Sequence, residues 1–196
     1  MTRTLVVFAR APQLGRVKTR LARGIGMSAA LAFYRRRLAD LLHHVARDGR
    51  WRTVLAVTPG GAAATSRLWP RKLARHPQGA GDLGRRMGRV FRTFPPGQVC
   101  IIGADIPEIT RARIWRAFRA LGSADVVFGP AVDGGYWLIG AHRGRHLDLF
   151  ADVRWSTRHA LADTRANLKR RRVALIDRLA DIDDAAAYRR WRRKTG

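Results

Sequence analysis

Short apolar runs alternate with segments of helical periodicity along the whole chain, and this alternation limits the fold more than any other feature. Thr4-Leu5-Val6-Val7-Phe8-Ala9, Thr53-Val54-Leu55-Ala56-Val57, Val99-Cys100-Ile101-Ile102 and Val126-Val127-Phe128 are continuous and apolar, as strands buried on both faces of a sheet are. Between the first two, Leu31, Tyr34, Leu38, Leu41, Leu42 and Val45 recur at helical spacing over residues 28–48, with Ser28 as the expected N-cap. Leu83, Met87, Val90, Phe91 and Phe94 mark a second helix face, ended by Pro95-Pro96-Gly97. Ile114, Phe118 and Leu121 mark a third, opened by Thr110 and closed by Gly122. Tyr136-Trp137-Leu138-Ile139 follows across Asp133-Gly134-Gly135 and forms a hairpin candidate that adds an antiparallel strand. A helix over 157–169, a strand over 173–176 and a helix over 184–192 complete the pattern. Strands alternating with helices specify an α/β architecture: a mostly parallel sheet with helices on both faces.

A chain of 196 residues suits one domain over 1–196. No apolar run approaches the roughly 18 residues of a membrane-spanning helix, and residues 5–9 are too few for the core of a secretion signal, so a cytoplasmic location is expected. The lone cysteine, Cys100, excludes an internal disulfide and a thiolate metal cluster and reads as strand core. Arg189-Arg190-Trp191-Arg192-Arg193-Lys194 reads as a solvated helix end.

The formal charge is +25, from 39 Lys plus Arg against 14 Asp plus Glu. Only Lys18, Lys72, Lys169 and Lys194 are lysines, so the excess is almost all arginine. A field of that size attracts phosphate-rich partners. Drift of surface lysines to arginines in a GC-rich genome produces the same composition.

Ligands of an open α/β sheet collect beyond the carboxyl ends of its strands, so residues directly after strands carry the functional candidates. Three groups qualify. The first is Arg10-Ala11-Pro12-Gln13-Leu14-Gly15-Arg16-Val17-Lys18-Thr19-Arg20, a basic loop leading into a helix start, which suits a phosphate chain and equally suits a solvated loop. The second is Asp105, a carboxylate fit for Mg²⁺ or Mn²⁺ completed by phosphate oxygens and water, or else a cap for the following turn. The third is residues 129–136, where Asp133-Gly134-Gly135 is first of all a turn but allows close backbone approach by a substrate. Gly79, Gly81 and Gly84 around Asp82 are similar to a nucleotide loop.

Other chemistries lack their patterns. A Walker A loop needs a glycine upstream of Gly15 that is missing, and G-x-G-x-x-G does not follow the first strand. His43, His44, His76, His142, His146 and His159 show no zinc spacing, and Ser66, Ser123 and Ser156 lack G-x-S-x-G.

Taken together, Phe8-Ala9-Arg10-Ala11-Pro12 with residues 15–21, Gln78-Gly79-Ala80-Gly81-Asp82-Leu83-Gly84 with Arg86-Met87, Gly103-Ala104-Asp105-Ile106-Pro107, residues 129–136 and Asp152-Val153-Arg154-Trp155-Ser156-Thr157 resemble the glycosyltransferase-A-like transferases associated with radical-SAM and selenodomain proteins. Relatives of that family include 2-phospholactate guanylyltransferase and molybdenum-cofactor nucleotidyltransferases. The resemblance implies a three-layer α/β/α sandwich with a Rossmann-like sheet of the glycosyltransferase-A, or nucleotide-diphospho-sugar transferase, type. It also implies that Arg10, Gly15, Lys18 and Arg20 hold the phosphates, and that Gln78, Gly79 and Asp82 hold base or ribose. Asp105 would ligate the metal with Asp183 as a second ligand, although Asp184 and Ala185 stand where the family's Asp-x-Asp-Thr-Pro has Thr and Pro. Asp133, Gly134, Tyr136, Trp155 and Ser156 would face the acceptor, and Lys18, Asp105 and Asp133 would be catalytic. The reaction implied is nucleotidyl transfer from an NTP to a small phosphorylated acceptor, with glycosyl transfer from a nucleotide sugar as the alternative. From another class, a basic nucleic-acid-binding protein uses the same charge.

Overall fold

Thr4 to Val7 are all buried because β1 (Arg3–Arg10) occupies the middle of a sheet, flanked by β2 (Arg52–Thr58) and β4 (Gln98–Gly103), both parallel to it. The computed structural model describes residues 1–61, 69–70, 72–142 and 148–195; Ser66 and His146 lie outside these. Among the described residues the sheet has seven strands in the order β3-β2-β1-β4-β6-β5-β7, where β3 is Ala74–Pro77, β5 Val126–Pro130, β6 Tyr136–His142 and β7 Val173–Leu175. β6 runs antiparallel to both neighbours, as the hairpin signal at residues 133–135 requires, and every other pairing is parallel.

Strand periodicity sorts the core into two layers. Leu5, Val7 and Ala9 pack with Leu31, Tyr34, Leu38 and Leu41 of α2 (Met27–Val45) and with Ile114 and Phe118 of α4 (Arg111–Ala120). Val6, Val54 and Ala56 pack on the opposite face with Met87 and Val90 of α3 (Leu83–Thr93). The result is the expected α/β/α sandwich with a mostly parallel sheet. Cys100 is fully buried within it, and burial pushes its thiol up, away from any nucleophilic role.

Several boundaries differ from the sequence pattern for local reasons. α1 (Thr19–Ile25) was hidden in the basic loop, since its seven residues bury only Leu21. Gly26, at φ 86, separates α1 from α2 and is the N-cap, so Ser28 falls inside the first turn. The edge strand β3 is only partly buried and lacks the apolar run that marks a central strand. The helix expected over 157–169 is α5 (Ala160–Ala166), because the Thr157 hydroxyl donates to Arg154 O and accepts from His159 N, closing a turn before the helix begins. Asp184 accepts from Ala187 N at 2.7 Å and so caps α6 (Ala185–Thr195), taking the role that Thr-Pro would otherwise play. Tyr188 and Trp191 of α6 meet Phe33 edge-on at 5.2 and 5.3 Å, so within the basic terminus Trp191 is packed while Arg189, Arg190 and Arg192 are exposed. That docking of α6 on α2 fixes where Asp183 lies. Among the described residues no helix is long and apolar enough to cross a membrane.

Candidate functional site

The strand order places β2 on one side of β1 and β4 on the other, so a crevice opens beyond the carboxyl ends of β1 and β4. Lys18 follows β1 and Asp105 follows β4, and they meet there. Lys18 Nζ donates to Asp105 Oδ2 at 3.0 Å and to Asp183 Oδ1 at 2.7 Å. Arg20 stands 3.8 Å from the other oxygen of Asp183. A cavity of about 390 Å³ opens over this group, lined by Arg10, Arg16, Arg20, Gln78, Arg86 and Asp105 among others.

Lys18 caps α1 with φ 48 and ψ 44, a left-handed backbone uncommon outside glycine. Its side chain is only 4% exposed. Burial alone would push its ammonium down, but the charges and hydrogen bonds of Asp105 and Asp183 outweigh burial and hold it above the ordinary lysine range. Burial likewise works against the Asp183 carboxylate, and Lys18 overcomes it and holds Asp183 below the ordinary range. Asp181 behaves in the opposite way. Burial, then the negative charges of Asp183 and Asp133, push it up to about 6.

The walls of the crevice are bolted from behind. The Tyr34 hydroxyl accepts from Arg10 N at 3.0 Å and donates to Arg10 O at 2.9 Å, occupying both peptide groups of the residue where β1 ends. The Gln78 amide donates to Ala9 O at 3.2 Å and Ala56 O at 2.9 Å, while its oxygen accepts from Arg86 Nη1 at 2.9 Å. Every Gln78 side-chain atom that could bond a base is thereby engaged inside the protein, and what Gln78 presents to the cavity is Arg86. Burial and then the nearby Arg10 charge lower the Arg86 guanidinium, the signature of two cations facing one space.

Arg10, Lys18, Arg20, Gln78, Asp105 and Asp183 therefore converge on one cavity. Gly15, Gly79 and Asp82 do not line it. Gly79 has φ 79 and leaves the room taken by the Arg89 guanidinium, which donates to Gln78 O at 2.6 Å and braces the loop. Asp82 caps α3 by accepting from Arg85 N at 2.8 Å. The expected acceptor residues are also placed elsewhere. Asp133 accepts from Gly135 N at 2.9 Å in the turn that its sequence indicates, and Gly134, at φ 88, passes against the Arg158 backbone where a Cβ would overlap. Asp133 is coupled to the crevice through its charge on Asp181. Tyr136 is packed against Phe128 and Trp155. Trp155 lines a separate cavity of about 860 Å³ with Phe91, Arg92 and Phe150, and Ser156 is exposed at φ 61.

The sequence names no site role for Tyr34 or Arg86, whereas Arg16 belongs to the basic loop that suits a phosphate chain. Tyr34 reads in the sequence as a core position of the first long helix, and Asp181 as the first aspartate of the Asp-x-Asp segment that the resemblance matches at Asp181-Ile182-Asp183. Because the folded state raises Asp181 above its unfolded value, its contribution to stability is present below about pH 3.8 and lost as pH rises through about 6. Asp181→Asn is therefore expected to stabilise the protein at pH 8 by ~1 kcal/mol after allowance for solvent screening, about 2–4 °C in Tm, with about a third of that gain at pH 4.5. An equal Tm change at both pH values in calorimetry would refute the assignment.

A crevice at the switch of an α/β/α sheet, ringed by cations around an aspartate pair, defines the class: the fold is that of the nucleotide-diphospho-sugar transferases and nucleotidyltransferases. Residues 41–157 match the family described as uncharacterized protein conserved in bacteria (DUF2064), and the chain belongs to that family. No curated protein matches the sequence. The chain is similar in structure to a provisionally named nucleotide-diphospho-sugar transferase from Desulfovibrio desulfuricans G20, at TM-score 0.85 and 27% identity, covering 100% of this chain and 88% of that one. It shares its fold with CMP:2-keto-3-deoxy-manno-octonic acid synthetase complexed with CTP, at TM-score 0.60 and 10% identity over 100% and 98% of the two chains. A manganese complex of a Mycobacterium tuberculosis H37Rv protein matches at TM-score 0.50 and 16% identity, covering 97% of each chain.

Proposed function

We propose that the chain, as one nucleotide-binding domain over residues 1–196, is a divalent-metal-dependent transferase that moves a nucleotidyl group from an NTP to a small phosphorylated acceptor. The observation that carries this reading is the charge of the crevice. Arg10, Arg16, Lys18, Arg20 and Arg86 surround two carboxylates, Asp105 and Asp183, and the positive excess suits a triphosphate with its metal. The carboxylate pair fits a cation because Asp105 and Asp183 already converge on one positive centre, the Lys18 ammonium. Asp105 and Asp183 would hold Mg²⁺ or Mn²⁺, as carboxylates with phosphate oxygens and water commonly do, and the manganese complex of a protein of this fold supports that assignment. A bound divalent ion would supply Lewis-acid stabilisation of phosphoryl charge.

The residues of the chain do the remainder. Arg10 and Arg86, fixed by Tyr34 and Gln78, orient the phosphate chain, and the cations stabilise charge growing on departing pyrophosphate. An acceptor phosphate is ionised at neutral pH and attacks without a base. The likeness to a nucleotide-diphospho-sugar transferase at 27% identity favours, as second reading, glycosyl transfer from a nucleotide sugar. A hydroxyl acceptor would then need a base, for which Asp133, the carboxylate that the resemblance assigns to the acceptor side, is the candidate.

A thermal-shift panel of NTPs and sugar nucleotides, each with and without Mg²⁺ or Mn²⁺, tests both readings. Nucleotidyl transfer predicts metal-dependent stabilisation by at least one NTP and less by sugar nucleotides. The reverse order selects glycosyl transfer, and no shift with any ligand rejects the transferase reading.

A further inference from the structure

The ammonium of Lys18 has three N–H donors, and two of them lie on the carboxylates that the proposed function assigns to a metal ion. The Lys18 side chain is 4% exposed while Asp105 and Asp183 are 40% and 38% exposed, so the ammonium lies on the protein side of the pair and the open side faces the crevice. In this arrangement two of the three Lys18 donors are held away from a phosphate chain, and one oxygen of each carboxylate is held away from a second cation.

Resting on the metal-dependent reading above, we propose that Lys18 and the divalent ion are alternative counter-ions of the Asp105–Asp183 pair. The ion enters with phosphate, and phosphate then becomes the new partner of the displaced ammonium. Lys18 is thus a positioning residue that couples metal entry to phosphate binding.

Three observations lead to this exchange. First, the protein alone offers an incomplete ion site: among the described residues, no group of three or more His, Cys, Asp or Glu is placed to hold a metal. Mg²⁺ tolerates that only when phosphate oxygens and water finish its shell. Secondly, the pair is already surrounded by positive charge, with Lys18 in contact and Arg20 at 3.8 Å, so a further dication without its own anion meets like charge at close range. Thirdly, the left-handed backbone at residue 18 fixes where the side chain starts, while a four-carbon stem lets its end move between neighbouring anions. The ammonium sits 2.7 and 3.0 Å from the two oxygens, so both carboxylates already face one point that a cation occupies.

The test uses Mn²⁺ as the probe and water-proton relaxation enhancement as the readout, which reports ion held on the slowly tumbling protein. For the wild-type chain, inorganic pyrophosphate is expected to raise apparent Mn²⁺ affinity by about tenfold or more. Lys18→Met is expected to bind Mn²⁺ without pyrophosphate about tenfold more tightly than the wild type, to lose most of the pyrophosphate effect, and to lose binding again when combined with Asp105→Asn. If Lys18→Met does not fold, the wild-type pyrophosphate effect decides. Equal Mn²⁺ affinity of the wild type with and without pyrophosphate, or of wild type and Lys18→Met, overturns the exchange and leaves the metal reading standing. If neither protein holds Mn²⁺ with or without pyrophosphate, while NTPs still stabilise the chain, the exchange and the metal both fall and nucleotide binding survives.

Discussion

Asp105→Asn is expected to lower turnover by a factor of about 10³ or more while leaving a folded protein. The loss follows from the role assigned to the carboxylate, since a metal ion contributes several kcal/mol of transition-state stabilisation and each 1.4 kcal/mol is about tenfold in rate. The fold is expected to survive because Asp105 is partly exposed, Lys18 keeps Asp183 at 2.7 Å, and an asparagine oxygen can still accept from the ammonium. Ligand binding gives a second readout. A nucleotide with Mg²⁺ at about 100 times its Kd stabilises the wild type by ~2.7 kcal/mol, which for a chain of this length is about 5–10 °C. Asp105→Asn should lose the metal-dependent part of that shift. A variant that keeps the full shift with Mg²⁺ would move the ion away from Asp105 and with it the proposed mechanism.

The fold was legible where burial dictates residue choice. β1, β2, β4 and β5 are central strands, and their uninterrupted apolar runs announce them, while Asp133-Gly134-Gly135 announces the one reversal of direction. Less legible were the parts that tertiary contacts create: β3 exists by pairing with β2 at the sheet edge, and α1 holds a single buried side chain. The site divides along similar lines. Residues directly after strands, Arg10 and Asp105, and the cations of the following loop could be named because topology brings strand ends together. Arg86 could not, because its direction depends on a buried glutamine eight residues earlier. Nor could the pairing of Lys18 with Asp183 across 165 positions be read from spacing, as it depends on α6 docking through Tyr188 and Trp191 onto Phe33. The acceptor residues show the converse: Asp133 and Gly134 satisfy a local turn, and Gly79 gives way to Arg89. A short motif of glycine and aspartate does not separate such local work from substrate contact.

Gln78→Leu should weaken both stability and nucleotide binding, and the two losses have separable causes. Leucine matches the volume, so the change removes hydrogen bonds rather than opening a cavity. Gln78 is 3% exposed and donates to Ala9 O and Ala56 O, joining the ends of β1 and β2. It also accepts from Arg86 at 2.9 Å. Two neutral bonds at about 1 kcal/mol each and one to a charged group at somewhat more give a loss of ~3 kcal/mol, about 6–12 °C in Tm. Freed from its anchor, Arg86 still has its bond to Asp82 O at 3.2 Å but no longer a fixed aim at the crevice, so NTP affinity is expected to fall about tenfold. Gln78→Glu separates the effects, because it keeps an oxygen for Arg86 and loses the amide donors to the strand carbonyls. It should melt well below the wild type yet retain NTP affinity better than Gln78→Leu at a temperature where both are folded. If calorimetry finds the leucine variant as stable as the wild type, Gln78 does not bolt the strand ends; if titration finds Gln78→Leu and Gln78→Glu equally weak for NTP, the aim of Arg86 is not what Gln78 provides.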